Sequence, residues 1–371
     1  MRICHLADTH LGSGENMGRK ADSGLSERQE DIVRSFIEAI DRIIAIKPDF
    51  VIHAGDIFDT VRPMNRFVAV AAEQLHRLAE VAGIPTVIIT GNHDAPNRAF
   101  MGAALDIFRH IDNLHIASQG RLEIFKIGEC AIYALPHCLT TDILKEEVAK
   151  CIPDPSVRFN VLIMHGVAAG MPEFSMLDLG EQELPLDVMA RFDYTALGHF
   201  HNHCQVGRRA WYSGSTERMT QSERNSAKGF VTVDLDPFNL TFNEVSTREM
   251  LDVSIGNVKG KRGDQIANII REAVLAQKPE NKILRIRVTG IEEEALKTIP
   301  TDVLADLKAQ SFSLDIKFER EERPDRQVHL GKTALGRLDV GFADYVEVVD
   351  TSGFDRQRLK QLGLSYLRDE E

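Results

Sequence analysis

The sequence lacks paired cysteines and long apolar runs. Its cysteines show no Cys-x-x-Cys spacing, and there are five of them: Cys4, Cys130, Cys138, Cys151 and Cys204. An odd number without paired spacing argues against a disulfide framework and a cysteine-rich zinc site, and it favours a reducing compartment. No apolar run approaches the roughly 18 to 20 residues of a membrane span. Because the start also shows no charged leader or cleavage site, we expect a soluble cytoplasmic protein with no membrane association.

The sequence also lacks an excess of positive charge. Lys and Arg number 44 against 56 Asp and Glu, which gives a net charge of −12. Proteins that hold nucleic acid usually carry a basic footprint, so this balance counts against a large DNA-binding face. It does not exclude one, because carboxylates gathered around divalent cations become less negative once the metals bind. Net charge therefore leaves a DNA enzyme and a phosphatase both open.

Short β-branched segments alternate with amphipathic ones in the first part of the chain. Two segments each predict a buried strand that runs into a polar loop: DFVIHAGD, from residue 49, and PTVIITGNHD, from residue 85. Residues 27–46 and 67–78 have apolar side chains at helical spacing, and residues 160–165 and 194–199 predict two more strands. This order indicates a layered α/β core with its chemistry beyond the carboxyl ends of the strands.

The chain changes character near residue 245. Between residues 250 and 320, strands and helices alternate without clustered ligands, which predicts a small α+β domain. The charged stretch 319–326 predicts a linker, and the helical tail beyond it has four apolar residues on or near one side: Leu359, Leu362, Tyr366 and Leu367. We therefore expect a first domain over 1–245, a small capping or DNA-binding domain over 246–320, and a linker with a partner-binding tail over 321–371.

Side chains that can bind metal follow the predicted strands of the first domain. A single histidine at a strand end is more often packed or exposed than a ligand. Five strand ends with the same pattern make coincidence improbable, and together they indicate an active site. The candidates are Asp8, His10, Asp56, Asn92, His93, Asp94, His165, His199 and His201.

The stretch GHFHNHC, residues 198–204, bears on which metal is bound. Three imidazoles and a thiol suggest zinc, but the other candidates add carboxylate and amide oxygens, a mixture that suits manganese, iron or magnesium-like coordination. About seven ligands suit two ions about 3.5–4 Å apart that share a carboxylate. His203 would lie about 6–7 Å beyond His201 along a strand. We therefore expect His203 near the substrate phosphate or at the surface, and Cys204 in the packing.

The candidates fall into five ordered blocks: ADTHLG, HAGDIFD, GNHD, LIMHG and GHFH. These blocks resemble the two-metal calcineurin-like metallophosphoesterase superfamily, whose pattern is Asp-x-His, Gly-Asp, Gly-Asn-His-Asp/Glu, His and Gly-His-x-His. Five stretches narrow the resemblance further: GDIFDT, GNHD, MRICHLADTHLG, FDYTALGHFH and YSGSTER. They look like the SbcD family of DNA repair nucleases rather than the protein phosphatases. The resemblance covers nearly the whole chain and is strongest to about residue 230.

The resemblance implies a metallophosphoesterase core of two sheets flanked by helices, with the small domain and the helical tail added to it. It implies two metals that share Asp56 as a bridge. One metal is assigned to Asp8, His10, Asp56 and His201, and the other to Asp56, Asn92, His165 and His199.

The resemblance also implies roles for residues beside the ligands. His93 resembles the family's catalytic histidine, which stabilises the phosphate or protonates the leaving 3′-oxygen. Asp94 either orients His93 or caps the next turn. Asp59 stands where other members carry His, and His53 is either a donor behind the ligands or a packed residue.

The implied function is a DNA nuclease that uses two Mn²⁺, with Mg²⁺ or Fe²⁺ as alternatives. The family's activity is 3′ to 5′ exonuclease on double strands and endonuclease on single strands, in DNA end processing and double-strand break repair. The implied partner is an SbcC-type, SMC-like ATPase that docks on the tail, although the tail helix could instead pack on its own domain. The resemblance further implies a homodimer, with the helix near residues 66–82 as a candidate interface, and a cytoplasmic, nucleoid-associated location.

Cations near the blocks and in the small domain are candidates for contacts with the DNA backbone. They are Arg62, Arg66, Arg98, Arg208, Arg209, Arg218, Arg224, Lys228, Lys259, Lys261 and Arg262. Two other functions remain open from the sequence. The same metals could serve a phosphatase or cyclic phosphodiesterase with a small substrate, or the metal site could be structural in a non-catalytic scaffold.

Overall fold

The computed structural model describes residues 1–96, 98, 101–170, 182–320, 342–343, 345–347 and 355–368. The first sheet has six strands: β1 (Arg2–Leu6), β2 (Phe50–His53), β3 (Thr86–Ile89), β4 (Leu114–Ala117), β13 (Gly229–Leu235) and β14 (Phe238–Glu244). Their order across the sheet is β14-β13-β1-β2-β3-β4. Strands β1 to β4 are parallel, and β13 and β14 add an antiparallel edge.

The second sheet also has six strands: β5 (Glu123–Ile127), β6 (Cys130–Leu135), β7 (Phe159–His165), β10 (Tyr194–Gly198), β11 (Cys204–Gln205) and β12 (Ala210–Tyr212). Their order is β11-β12-β10-β7-β6-β5, with the four central strands parallel. Two short strands, β8 (Val167–Ala168) and β9 (Glu183–Leu184), pair beside this sheet.

The two sheets pack face to face, and helices cover their outer faces. In β1, Ile3 lies in the apolar layer between the sheets, whereas Cys4 and Leu6 lie in the layer under the helices, as alternation along a strand requires. The helices over the first sheet are α1 (Glu27–Ile46) and α2 (Asn65–His76), and those over the second are α3 (Thr141–Val148) and α4 (Leu186–Met189). This arrangement confirms the predicted layered core of two sheets flanked by helices.

Helix α1 shows why its bounds could be predicted. Ser26 is its N-cap: the Ser26 hydroxyl accepts from the Gln29 backbone N–H at 3.0 Å, and the Gln29 side chain accepts from the Ser26 N–H at 3.1 Å. Such a reciprocal pair satisfies two of the donors that a helix start leaves open. The helix ends where Lys47 takes a left-handed conformation (φ 53°). The predicted range 27–46 matches the helix residue for residue.

A third sheet lies in the C-terminal part of the chain. It contains β15 (Met250–Ile255), β16 (Ile283–Ile291) and β17 (Ser313–Arg320), alternating with α5 (Gly263–Ala276), α6 (Glu293–Lys297) and α7 (Thr301–Gln310). All three strands are parallel, so this unit is a small α/β layer and not the expected α+β arrangement. The predicted helix 295–309 is two helices, because Pro300 stands at the start of α7.

Arg248 connects this small unit to the layered core. Its guanidinium pairs with Asp31 of α1 at 2.5 Å and lies over the Phe312 ring at 3.6 Å from the centroid. Both Asp31 and Phe312 are buried. An ion pair shielded from water is therefore part of the connection between the two units.

The last described element is helix α8 (Arg356–Arg368). The predicted tail includes Leu359 and Leu362, which are 38% and 55% exposed; the side chains of Tyr366 and Leu367 lie outside the described residues. Most of the predicted linker 319–326 also lies outside them. Among the helices that the structure describes, none combines the length and apolar character that crossing a membrane demands.

Candidate metal centre

The carboxyl ends of five parallel strands from both sheets meet at one place. This confirms the predicted position of the candidate residues relative to the strands. The backbone N–H of His199 donates to the Asp8 carboxylate at 2.9 Å, so a hydrogen bond joins the two sheets here. All seven predicted ligands gather at this junction: Asp8 and His10 after β1, Asp56 after β2, Asn92 after β3, His165 at the end of β7, and His199 and His201 after β10.

One side of the cluster consists of Asp8, His10 and His201, which we call the acidic side. Their potential ligand atoms lie within 4.8 Å of one another, and the Nε2 atoms of His10 and His201 are 3.1 Å apart. A carboxylate stands behind each imidazole. The Nδ1 of His10 lies 3.2 Å from the Asp59 carboxylate, and that of His201 lies 3.2 Å from the Glu223 carboxylate.

The other side consists of Asn92, His165 and His199, which we call the amide side. The Asn92 side-chain oxygen is 2.9 Å from His165 Nε2 and 3.0 Å from His199 Nδ1. Behind His165 stands a neutral group, the backbone carbonyl of Ala54, at 2.8 Å from Nδ1. Asp56 lies between the two sides, with its Oδ2 atom 3.3 Å from His165 Nε2 and 3.7 Å from His10 Nε2.

The amide side fits a divalent cation. A carbonyl oxygen can only accept a hydrogen bond, so His165 Nδ1 carries a proton and donates it to Ala54. In the neutral imidazole, Nε2 then presents a lone pair toward the oxygens of Asn92 and Asp56. Three lone pairs that converge in this way need a positive charge between them. Nitrogen and oxygen donors without thiolate match the metals expected from the sequence.

The charges around the cluster favour a cation as well. Burial lowers the pKa of His165, but Asp56 and Asp8 outweigh burial and raise that pKa to about 9. Burial also lowers the pKa of His10, and the carboxylates of Asp59, Asp56 and Asp8 reverse the direction. For Asp56, burial raises the pKa, yet His165 and His10 hold it well below its usual range. The cluster therefore attracts positive charge, either as protons on the imidazoles or as bound metal.

Backbone strain is concentrated in the cluster. Among the described residues, seven other than glycine have a positive φ, and four of them belong to the cluster: Asp8 (53°), His10 (44°), Asp56 (55°) and His199 (104°). Such conformations cost about 1–3 kcal/mol each. The surrounding fold must therefore overcome this cost to make the ligand atoms converge.

Two glycines allow the close approach of the ligands. A Cβ on Gly55 (φ 97°) would overlap the His165 ring, and a Cβ on Gly91 would overlap the Asp56 carboxylate. These are the glycines of the predicted GD and GNHD blocks. Glycine is needed at these two positions because the ligand side chains occupy the space that a Cβ atom would fill.

His93 lies exposed at the rim of the cluster, with its ring edge-on to His10 at a centroid distance of 4.7 Å. Its Nδ1 is 3.0 Å from the backbone carbonyl of Asp59. Because that carbonyl can only accept, Nδ1 carries a proton and Nε2 is left to exchange one. Asp59 thus contacts both histidines, His93 through its backbone and His10 through its side chain.

Asp94 is fully buried and does not orient His93, which corrects one of the two roles predicted for it. Its carboxylate accepts from the backbone N–H groups of Ile57 and Gly91, each at 2.8 Å. Burial and the neighbouring Asp56 raise the pKa of Asp94 to about 7. Asp94 therefore holds the Asp56 and Asn92 loops together, in keeping with the alternative that it caps the turn.

Three further histidine and cysteine residues are packed. His203 stacks on Trp211 and Phe242 at centroid distances of 5.2 and 4.7 Å, so it is neither a neighbour of the phosphate nor a free surface residue. Cys204 packs against the outer core of the second sheet. His53 is buried, and burial lowers its pKa to about 3, so it is a neutral residue of the packing.

The predicted DNA-contacting cations differ in their surroundings. Lys228 is buried and pairs with Glu223 at 2.6 Å, so the expectation that it contacts DNA is wrong. Arg218 donates to the Thr247 hydroxyl at 2.5 Å and holds the connection to the small unit. A cavity of about 620 Å³ is lined by both Asn92 and Arg98. The remaining candidates are exposed or half-exposed: Arg62, Arg66, Arg208, Arg209, Arg224, Lys259, Lys261 and Arg262.

The family profile described as Calcineurin-like phosphoesterase matches residues 1–203, a span that contains all seven predicted ligands. The chain belongs to this family. Among proteins of known sequence, this metallophosphoesterase is similar to archaeal proteins named DNA double-strand break repair protein Mre11. It is 32% identical over 250 residues to that of Methanococcus maripaludis, covering 63% of each chain.

Two more relatives carry the same name. The protein of Methanocaldococcus jannaschii is 30% identical over 278 residues, covering 70% of each chain, and that of Sulfurisphaera tokodaii is 30% identical over 244 residues, covering 63% of this chain and 59% of the relative. The metallophosphoesterase thus spans about three fifths of the length of some of these relatives. A dimetal phosphatase from Danio rerio aligns with 63% of this chain and 92% of its own at 10% identity, but its TM-score of 0.36 is too low to support a conclusion.

Glu223 and Asp59 behind the acidic side were not predicted as part of the site. Glu223 lies in a stretch, SGSTERMTQSERNSAKG, in which only the cations drew attention. Its contact with His201 depends on how the segment after β12 folds back, and no local spacing indicates that. Asp59 gave a weak signal, since the resemblance described above implies His at its position.

Proposed function

We propose that the protein is a metal-dependent nuclease that hydrolyses phosphodiester bonds in DNA. The observation that carries the proposal is the convergence of His165 Nε2 and His199 Nδ1 on the Asn92 oxygen, at 2.9 and 3.0 Å, beside a buried and ionised Asp56. Similarity to proteins named for DNA double-strand break repair supports DNA as the substrate. The proposed ligands are the seven predicted residues, and the proposed metals are two Mn²⁺.

When bound, the two cations would polarise the scissile phosphate and lower the pKa of a water that attacks it. The protein's own groups prepare this step. Asp56 stands between the two sides, and its two carboxylate oxygens can serve both ions. His93 has the exposed position and the free Nε2 that a general acid needs to protonate the leaving 3′-oxygen. The Asp59 carbonyl holds the His93 ring in that orientation.

The finer features of the activity are also proposals. We propose 3′ to 5′ exonuclease activity on double strands and endonuclease activity on single strands. The domain boundaries are taken as 1–245, 246–320 and 321–371. The exposed cluster of Lys259, Lys261 and Arg262 in the second of these would contact the DNA backbone, and Arg98 would contact it near the centre.

The proposed partner is an SbcC-type, SMC-like ATPase whose coiled coil docks on the tail. Helix α8 supports this, because Leu359 and Leu362 are 38% and 55% exposed and an apolar helix face of this kind fits a groove of a partner. We further propose a homodimer and a cytoplasmic location at the nucleoid.

The test of the nuclease is Mn²⁺-dependent degradation of end-labelled DNA by the unmodified protein and by His93→Ala. We expect degradation to fall about 10²–10⁴-fold in the variant, the usual contribution of a general acid, with Mn²⁺ binding retained. The matched control is His110→Ala, since His110 is also exposed and its Nδ1 contacts a backbone carbonyl, that of Ile107, at 2.8 Å.

Two results would contradict the proposal. Turnover of p-nitrophenyl phosphate with single- and double-stranded DNA left intact would favour a phosphatase with a small substrate, which the net charge of −12 permits. Equal and metal-independent background activity in His93→Ala and the unmodified protein would favour a structural metal site, whereas equal Mn²⁺-dependent degradation would contradict only the role of His93.

The partner is tested by co-purification of the SbcC-type ATPase with the full chain and with a chain that ends at residue 329. We expect the shortened chain to lose the ATPase and to keep its Mn²⁺. Equal capture by both chains would show that the tail helix is not the docking element.

A further inference from the structure

Glu223 lies behind His201 in a fully partnered, buried position. Its side chain is 6% exposed, with one carboxylate oxygen 3.2 Å from His201 Nδ1 and the other 2.6 Å from the Lys228 ammonium. The backbone N–H groups of Met219 and Thr220 also donate to it, each at 3.1 Å. The Thr220 hydroxyl donates to it as well, at 2.9 Å. Five polar groups thus keep this carboxylate in one orientation, facing the imidazole.

Lys228 supports the same histidine from a second direction. Its ammonium is buried and donates to the backbone carbonyl of His201 at 2.7 Å and to the Ser215 hydroxyl at 3.0 Å. It therefore contacts both the carboxylate behind the ring and the backbone that carries the ring. An ammonium this close to Glu223 also favours the ionised form of the carboxylate.

An ionised carboxylate can only accept, so the proton of the neutral His201 imidazole must lie on Nδ1. The lone pair then lies on Nε2, which is 3.1 Å from the Nε2 of His10. The Nδ1 of His10 also lies near a carboxylate, that of Asp59, at 3.2 Å. Two nitrogens this close both favour positive charge between them, either a proton shared as a hydrogen bond or a metal cation.

We propose that Glu223 is a positioning residue of the metal centre, which fixes the orientation and the tautomer of His201, and that Lys228 keeps Glu223 in place. This inference rests on the proposed two-metal function. A purely structural role, capping the turn at Gln221–Glu223, requires the contacts with Met219 and Thr220 alone. It does not account for Lys228, which joins Glu223 to the backbone of a ligand.

The test is calorimetric titration of Mn²⁺ into the metal-free full chain and into Glu223→Gln. Gln has nearly the same shape and an oxygen acceptor but no charge. We expect two ions in both proteins, with one of the two affinities reduced about 10–100-fold in the variant, as is usual when the partner behind a metal-binding histidine is changed. The matched control is Glu147→Gln, because Glu147 is also buried, pairs with Lys150 at 2.7 Å and accepts from a backbone N–H, that of Leu122, at 3.0 Å.

The outcomes separate the inference from the function on which it rests. If the unmodified chain binds fewer than two Mn²⁺, the proposed function fails and the inference fails with it. If the unmodified chain binds two and Glu223→Gln binds both with unchanged affinity, the positioning role alone is wrong. An equal loss in Glu147→Gln would likewise overturn it, since the effect would then be one of general stability.

A measurement on the unmodified, metal-free chain covers the case in which Glu223→Gln fails to fold. Nitrogen-15 NMR of the histidine rings at pH 9, with His201→Gln used to assign the signal, reports which nitrogen carries the proton. We expect the proton of His201 on Nδ1. Finding it on Nε2 would overturn the proposal.

Discussion

The two sides of the metal centre differ in what stands behind their imidazoles. On the acidic side, carboxylates face the outer nitrogens of His10 and His201, at 3.2 Å each. On the amide side, a neutral carbonyl faces His165 at 2.8 Å, and the neutral Asn92 supplies the central oxygen. More negative charge therefore surrounds the metal site on the acidic side than the metal site on the amide side.

This difference indicates that the two ions need not bind with equal affinity. A carboxylate behind an imidazole makes the ligand more basic than a carbonyl does, and the negative charges of Asp59 and Glu223 add to the attraction. We expect the acidic side to bind its metal more tightly and to fill first. The looser ion on the amide side would then be the one that responds to metal concentration.

The largest effect is expected from Asp56→Asn, which removes the charge that both sides share. Asn tolerates the left-handed conformation at this position (φ 55°), so the fold should persist. We expect affinity at both sites to fall by more than about 100-fold, beyond the range for groups behind the ligands. Calorimetry with Mn²⁺ measures this. Loss of only one ion would show that Asp56 does not serve both sides.

A smaller effect, confined to one side, is expected from a matched pair of variants. His201→Ala removes a ligand of the acidic side, and His165→Ala removes one of the amide side. We expect each variant to bind one Mn²⁺ instead of two, with the remaining ion bound more tightly in His165→Ala. If both variants lose both ions, the two sides cannot be treated as separate sites.

The smallest effect is expected from Asp59→Asn. The Asp59 side chain is 32% exposed, so solvent screens its charge more than that of Glu223, and we expect a loss of about tenfold in affinity on the acidic side. His93 should keep its orientation because it contacts the Asp59 backbone. Asp234→Asn is the control, since Asp234 is 29% exposed and paired with Arg2. A larger loss for Asp59→Asn than for Glu223→Gln would contradict this ranking.

Much of the layered core could be predicted because its signals are local. The bounds of α1 follow from the Ser26 capping box and from an apolar face at helical spacing. The residues of the metal centre follow strands that end in Gly and polar residues, a pattern that is legible in the sequence. Helix α2 was also indicated, although the predicted segment 67–78 begins two residues inside α2 and ends within the π-helical turn Arg77–Val81.

Other features depend on tertiary contacts and could not be predicted. Strands β4, β5 and β6 were not predicted, and the edge strand β5 alternates half-buried and exposed residues without a fully buried one. The burial of Lys228 and the bonds of Asp94 to backbone amides depend on segments far apart in the chain. A sequence shows that a residue is charged, but only the fold shows whether that charge faces water, a metal or another charge.

The position of the centre at the junction of the two sheets has a consequence for stability. Each side takes residues from both sheets: the acidic side joins His10 to His201, and the amide side joins Asn92 to His165. A bound ion would therefore act as a removable cross-link between two halves of the core. Each site adds about 2.7 kcal/mol to folding when free metal is 100 times its Kd. The supply of metal would then influence how stably the two sheets pack together as well as the rate of the proposed reaction.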